Sequence, residues 1–135
     1  MATIVKHVQL DAKPEIVWDA LADFGALHQR LVPGFVTSCE FDGAARNITF
    51  ANGSTAHELL VTSDSESQRL VYAIPANERI KHYSASAQVS DDGNGGAQLT
   101  WTIDLLPNEI APYVSEQMDL GAAAMQKAFG KKAAA

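Results

Sequence analysis

The residues of this chain that could carry chemistry are a few polar side chains set among apolar residues on predicted strands. They are Thr37, Glu58, Tyr72, Tyr83 and Arg46. A carboxylate that points inward among apolar neighbours either takes a raised pKa or pairs with a cation, and Arg46 is a plausible partner for Glu58. Such a pair could orient a ligand or act as a general acid and base, but a salt bridge at the surface or rim is the commoner arrangement. The candidates for proton transfer are therefore Glu58, Tyr83 and Arg46.

Other kinds of reactive site lack their usual patterns. The four histidines lie on different predicted elements, at His7, His28, His57 and His82, without the short paired spacing of a metal site. We therefore expect no metal and no cofactor. His57 and Glu58 are adjacent, so on a strand their side chains point to opposite faces. Cys39 is far in sequence from any histidine and is best interpreted as a buried apolar thiol. Nucleophile elbows, phosphate-binding glycine loops and HExxH patterns do not occur.

Length and charge limit the binding partners and the cellular compartment that we expect. The 135 residues fit one domain, 1–135, and carry a formal net charge of −6 with scattered basic residues. Such a surface would repel nucleic acid and anionic bilayers. The sequence contains neither an apolar run long enough for stable membrane insertion nor a signal peptide. A single cysteine fits a reducing compartment, so we expect a cytoplasmic protein. Whether it is a monomer or a homodimer stays open.

The elements that must position these residues follow from turn and helix signals. A strand is predicted from Ile4 to Leu10, and a helix begins at Pro14, where a proline suits the first turn. Gly25 ends this helix, and a short helical turn runs from Ala26 to Leu31. Six strands follow between residues 35 and 106, separated by turn-forming residues at intervals typical of an antiparallel meander.

A long C-terminal helix completes the predicted order. It begins between Asn108 and Pro112 and continues to about Phe129, after which the tail from Lys131 to Ala135 is expected to fray. At about 1.5 Å per residue, this helix is long enough to cross the whole sheet. The sequence therefore predicts an α+β fold in which one face of an antiparallel sheet packs on the helix.

Strand alternation predicts which side chains point inward. On the second strand the inward set is Phe35, Thr37, Cys39 and Phe41. The strand that holds Glu58 is ambiguous, because Glu58, Leu60 and Thr62 compete with the more apolar His57, Leu59 and Val61. The small residues Ala85 and Ala87 face Gly121 of the long helix, which leaves space for a ligand or lets helix and sheet approach closely. The predicted ligand contacts are Phe35, Thr37, Phe50, Glu58, Tyr72, Tyr83, Ala85, Trp101, Met118, Gly121 and Met125.

Several short motifs, taken in order, resemble the SRPBCC superfamily. They are Pro14-x-x-Val17-Trp18-x-x-Leu21-x-Asp23-Phe24, Pro33-x-Phe35-Val36-x-Ser38-Cys39, Glu58 ahead of Asp64, Arg69-Leu70-Val71-Tyr72, His82-Tyr83-Ser84 and Leu99-Thr100-Trp101. This group includes polyketide cyclases, lipid-transfer START domains, the major birch-pollen allergen and plant abscisic-acid receptors. The resemblance implies the helix-grip fold, in which a seven-stranded antiparallel sheet wraps around the long final helix and two short helices follow strand 1. It does not imply one reaction, because this fold hosts binders, transporters, receptors and enzymes.

The resemblance to the hormone receptors is incomplete. Tyr83 corresponds to a pocket tyrosine of that branch, but Thr37 stands where the receptors carry a ligand-binding lysine. Their gate and latch motifs are missing from the loops at 52–55 and 75–80, and Leu31 replaces a tryptophan common in the superfamily. A hormone-receptor function is therefore not implied.

Three functions remain open on the sequence. The first is a non-catalytic carrier or sensor of a small hydrophobic molecule held in an internal cavity. The second is a polyketide cyclase, aromatase or dehydratase that folds a substrate in the same cavity and moves protons with one or two polar groups. The third is a partner-binding module with a filled core, for which an outward stripe of His57, Leu59 and Val61 is the hint.

Overall fold

One antiparallel sheet of seven strands organises the computed structural model, which describes residues 1–130. The predicted fraying tail, Lys131 to Ala135, lies outside the described residues. The spatial strand order is β1-β7-β6-β5-β4-β3-β2, so the chain crosses from one sheet edge to the other and then returns strand by strand. The strands are β1 (Ala2–Leu10), β2 (Val36–Phe41), β3 (Ala45–Phe50), β4 (Thr55–Asp64), β5 (Arg69–Ala73), β6 (His82–Asp91) and β7 (Ala97–Leu106).

The crossing between β1 and β2 is made by helix α1 (Pro14–Ala22) and two short helical turns, Phe24–Ala26 and Leu27–Leu31. Pro14 occupies the first turn of α1, as predicted. Gly25 lies between α1 and β2 at a close approach, because a Cβ atom there would be 2.9 Å from the Cβ of Phe41. A glycine at this point thus lets the helical segment pack directly on β2.

The long helix α2 (Ala111–Phe129) follows a 3-10 turn at Asn108–Ile110 and buries Met118, Gly121 and Met125. Polar contacts tie it to β1, where Gln126 Nε2 donates to the Gln9 carbonyl at 3.3 Å and Lys6 Nζ lies 3.0 Å from an Asp119 oxygen. The predicted α+β order and the helix-grip architecture are confirmed. Within residues 1–130, none of the helices has both the length and the hydropathy to cross a lipid bilayer.

Strand register decides which face each candidate residue occupies. Arg46 of β3 pairs with Glu58 of β4, and residues directly opposite in an antiparallel pair project to the same face. Glu58 is buried, whereas Leu59 and Val61 are 38% and 59% exposed on the outer face. The more polar of the two predicted sets therefore faces the core.

The parity prediction for β2 is wrong for Thr37. Pairing with β3 shifts between Val36 and Ser38, so a bulge interrupts the alternation. Val36 is buried, while Thr37 is exposed and donates from Oγ1 to the Thr49 carbonyl at 3.2 Å. Phe41 pairs with Arg46 and therefore keeps the predicted face, where it packs edge-on against Phe24, although the end of the strand leaves it 41% exposed.

Candidate functional site

A pocket of about 510 Å³ lies between the sheet and α2. Its volume falls within the range of about 300–1,000 Å³ that is typical of small-molecule sites, and most of its lining is apolar. Nine of the predicted site residues line it: Phe35, Arg46, Phe50, Glu58, Tyr72, Tyr83, Trp101, Met118 and Met125. Side chains from β3, β4, β5, β6, β7 and α2 are thereby brought together, although they are distant in sequence.

Three predicted contacts do not line this pocket. Thr37 points away because of the β2 bulge, and Ala85 and Gly121 are buried outside the lining. At Gly121, a Cβ atom would lie 3.1 Å from the six-membered ring of Trp101 and 3.4 Å from the Phe35 ring. The small residue therefore accommodates a tryptophan from the sheet rather than a ligand, which corrects the expectation of empty space there.

The polar centre of the pocket is the Arg46 and Glu58 ion pair, with both side chains 6% exposed. Glu58 Oε1 accepts hydrogen bonds from Arg46 Nε at 2.8 Å and approaches Arg46 Nη2 at 2.7 Å. Nη1 of Arg46 donates to the Phe24 carbonyl at 3.2 Å, and the guanidinium lies 3.7 Å from the centroid of the Phe24 ring. These contacts offset the cost of burying two charges. Oε2 of Glu58 accepts no hydrogen bond from residues 1–130, so one carboxylate oxygen is left for a ligand.

Two tyrosines extend this polar centre. The hydroxyl of Tyr72 accepts a hydrogen bond from Trp101 Nε1 at 3.1 Å. Burial raises the pKa of Tyr72, and the negative charge of Glu58 raises it further. Burial also raises the pKa of Tyr83 well above its usual value, with the neighbouring Tyr72 contributing. Both phenols therefore stay neutral at physiological pH. Tyr83 donates its proton to the Tyr72 hydroxyl, and the Tyr72 hydroxyl keeps its own proton for a ligand oxygen.

Cys39 lies near this centre and is half-buried. Its Sγ donates to the Phe24 carbonyl at 3.6 Å, and burial raises the pKa of the thiol, which keeps it protonated. Among residues 1–130, no three His, Cys, Asp or Glu side chains are placed to hold a metal ion together.

The mouth of the pocket is formed by residues that the sequence analysis did not single out. Exposed lining residues come from the β3–β4 loop, the β5–β6 loop and the start of α2. They include Ser54, Asn77, Arg79 and Tyr113. Asn52 Nδ2 donates to the Tyr113 hydroxyl at 3.5 Å, which connects the first loop with the helix. Loop residues have no strand parity, so only the resemblance to a fold with a loop-lined entrance could have indicated them.

Comparison with known proteins shows where this architecture belongs. The chain is similar in structure to XoxI from Bacillus cereus, with 21% identity over 96% of both chains and a TM-score of 0.82. It is also similar to truncated norcoclaurine synthase from Thalictrum flavum (16% identity, 93% and 91% of the chains, TM-score 0.74) and to a START superfamily protein from Mycobacterium smegmatis (13%, 93% and 92%, 0.68). A search of curated proteins gives no match. A family model matches residues 1–135, and the chain therefore belongs to the family described as polyketide cyclase/dehydrase and lipid transport.

Proposed function

We propose that this chain binds a small, mainly apolar molecule in the pocket between the sheet and α2. The observation that carries the proposal is a space of about 510 Å³ with a mostly apolar wall and a few convergent polar groups. Apolar surface of this kind favours burial of a hydrophobic ligand, and the polar groups fix its orientation. The family description, which includes lipid transport, supports the same function.

The polar groups favour a ligand with at least one oxygen or nitrogen atom. Glu58 Oε2 offers an acceptor, and the neutral hydroxyl of Tyr72, which accepts from Trp101 and Tyr83, offers a donor. A purely hydrocarbon ligand would leave these groups without partners in a low-dielectric space, which is unfavourable. We therefore propose a ligand whose apolar body carries a hydroxyl, carbonyl or amine near one end.

Binding can be tested with N-phenyl-1-naphthylamine, a neutral probe that fluoresces in apolar pockets. Ala56 lines the pocket and is half-buried, so Ala56→Phe should fill part of the space and weaken probe binding at least fivefold. Ala123→Phe makes the same change on the exposed side of α2 and is the matched control. Equal affinity of the two variants, with circular dichroism showing both folded, would refute the proposal. Native mass spectrometry of protein from its own host should identify the natural ligand as a co-purifying mass.

A second candidate function is proton-transfer catalysis of the cyclase or dehydratase kind. The observation in its favour is that Glu58 keeps one oxygen free while Arg46 holds the other. Glu58 Oε2 would take a proton from carbon next to a carbonyl, and the Tyr72 hydroxyl would donate a hydrogen bond to the oxyanion that forms. The family description supports this function as well, since it includes polyketide cyclase and dehydrase activity.

The elimination of 5-nitrobenzisoxazole tests whether Glu58 acts as a base. In this reaction a base removes the C–H proton, the N–O bond breaks and a coloured cyanophenolate forms. Glu58→Gln should lower the rate at least tenfold while preserving N-phenyl-1-naphthylamine binding. Glu66→Gln, in an exposed turn, should leave the rate unchanged. A Glu58→Gln rate equal to that of the unmodified protein would leave only the binding function.

A further inference from the structure

The mouth of the pocket differs in charge from the pocket interior and from the chain as a whole. Charged lining residues are Arg46, Glu58 and Arg79, a net charge of +1 from two arginines and one glutamate. The first two neutralise each other in the buried ion pair. The whole chain carries −6, so a single uncompensated cation faces the entrance of a pocket in an acidic protein.

Arg79 is held at this entrance by its loop. Asn77 Oδ1 accepts hydrogen bonds from the backbone N–H groups of Arg79 at 2.8 Å and Ile80 at 2.9 Å. Ile80 lines the pocket and anchors the loop there. Within residues 1–130, the Arg79 guanidinium makes no hydrogen bond or ion pair. By contrast, Arg30 and Arg46 are each paired with carboxylates.

Neutral donors lie at the same entrance. The Tyr113 hydroxyl accepts a bond from Asn52, so its own proton is available, and the Gln117 amide lines the pocket one turn further along α2. The interior is less suited to an anion, because Arg46 is already neutralised by Glu58 and directs its donors to Glu58 and to the Phe24 carbonyl. An anionic group is therefore favoured at the mouth and disfavoured beside Glu58.

We propose that the ligand is a free amphiphile with an apolar body and one anionic head group, and that Arg79 binds this head group at the mouth. This inference rests on the proposed binding function and adds the class and the orientation of the ligand. The body lies against the apolar wall with its far end towards Glu58 and Tyr83. The head group remains partly hydrated at the entrance, where an arginine forms two parallel hydrogen bonds with a carboxylate or sulfonate.

Two probes with the same aromatic body separate this inference from the binding function. They are 1-anilinonaphthalene-8-sulfonate, which is anionic, and N-phenyl-1-naphthylamine, which lacks the sulfonate. An exposed ion pair of this kind contributes a factor of roughly two to five in affinity. Arg79→Gln should lower the affinity for the sulfonate probe by that factor and leave the affinity for the neutral probe unchanged. The loss should shrink at 0.5 M salt, because salt screens exposed charges.

Arg69→Gln is the matched control, since Arg69 is exposed, makes no ion pair within residues 1–130 and does not line the pocket. It should affect neither probe. Equal affinity of Arg79→Gln and Arg69→Gln for the sulfonate would overturn the inference while neutral-probe binding still supports the proposed function. If the unmodified protein binds neither probe, the proposed function itself is overturned.

A last comparison separates a free amphiphile from a membrane lipid. Dodecanoate should displace the neutral probe more strongly than dodecanol, and Arg79→Gln should remove this preference. Vesicles of phosphatidylcholine with phosphatidylglycerol should not retain the protein in a flotation assay. Flotation that depends on Arg79 would overturn the assignment to a free molecule.

Discussion

Removing Arg46 while keeping Glu58 should be among the most destabilising single changes in the chain. In Arg46→Met the apolar stem is replaced by a side chain of similar length, but both contacts to Glu58 Oε1 and the bond to the Phe24 carbonyl are lost. Glu58, only 5% exposed, then stands as an unpaired buried carboxylate. Breaking a buried pair in this way costs about 3–5 kcal/mol.

The structure also predicts that removing both partners costs much less. In Arg46→Met with Glu58→Leu, the two apolar side chains lie opposite each other in the β3–β4 pair and leave no buried charge. Such replacements are often neutral or stabilising. The double variant should therefore unfold within about 1 kcal/mol of the unmodified protein, with a coupling energy of about 3 kcal/mol or more.

Urea unfolding followed by tryptophan fluorescence measures both quantities. With a slope of about 1.5 kcal/mol per M, a loss of 3 kcal/mol moves the midpoint by roughly 2 M. Arg30→Met removes an exposed pair with Asp19 and should leave the midpoint nearly unchanged. The Glu58→Leu single variant completes the cycle that gives the coupling energy. If Arg46→Met and the double variant unfold at the same midpoint, then an unpaired Glu58 is not what destabilises Arg46→Met, and the expected cost of an unpaired buried charge is refuted.

Two further changes test the pocket wall. Because burial raises the pKa values of Tyr72 and Tyr83 above those of the unfolded chain, their stabilising effect is complete below pH about 10 and is lost as the pH rises further. Above pH 10 the free energy of unfolding of the unmodified protein should fall more steeply than that of Tyr83→Phe, by about 1.4 kcal/mol per pH unit. Tyr113→Phe, at an exposed tyrosine, should leave this slope unchanged. Gly121→Val should force its side chain against the Trp101 and Phe35 rings and lower the free energy of unfolding by about 2–3 kcal/mol. Ala123→Val, on the exposed side of α2, should have little effect. Equal unfolding midpoints for these two variants would contradict the packing at Gly121.

The fold could be predicted because its signals are local and repeated. Turn-forming residues recur between the strands, and Pro14 marks the start of the first helix, which ends at Ala22, three residues before the predicted stop at Gly25. A six-stranded meander and one long helix follow, since a sheet with one apolar face must bury it against something. Alternation also placed Tyr72, Tyr83 and Trp101 correctly, because β5, β6 and β7 pair without interruption over these residues.

The sequence predictions fail where tertiary contacts, rather than the local residue pattern, decide the position of a side chain. One bulge in β2 reverses the parity that would have turned Thr37 inward, and bulges leave little trace in a single sequence. The sequence allows Gly121 either to leave free space or to let helix and sheet approach closely, and its neighbour across the core is the large ring of Trp101. Volume at a core position depends on both partners, and the sequence shows each one separately.

The register of β4 shows why polar pairing can decide what hydrophobicity leaves open. Counting apolar residues favours the set with Leu59 and Val61 inward, yet these two are exposed and Glu58 is buried. Arg46 on the neighbouring strand explains the outcome, since the alternative register would bury His57 and leave a buried arginine without its carboxylate. A bulge between Leu60 and Thr62 ends this register before the strand reaches its exposed end. The ion pair therefore fixes which face of β4 forms the pocket wall, and it places Arg46 and Glu58 together in that wall.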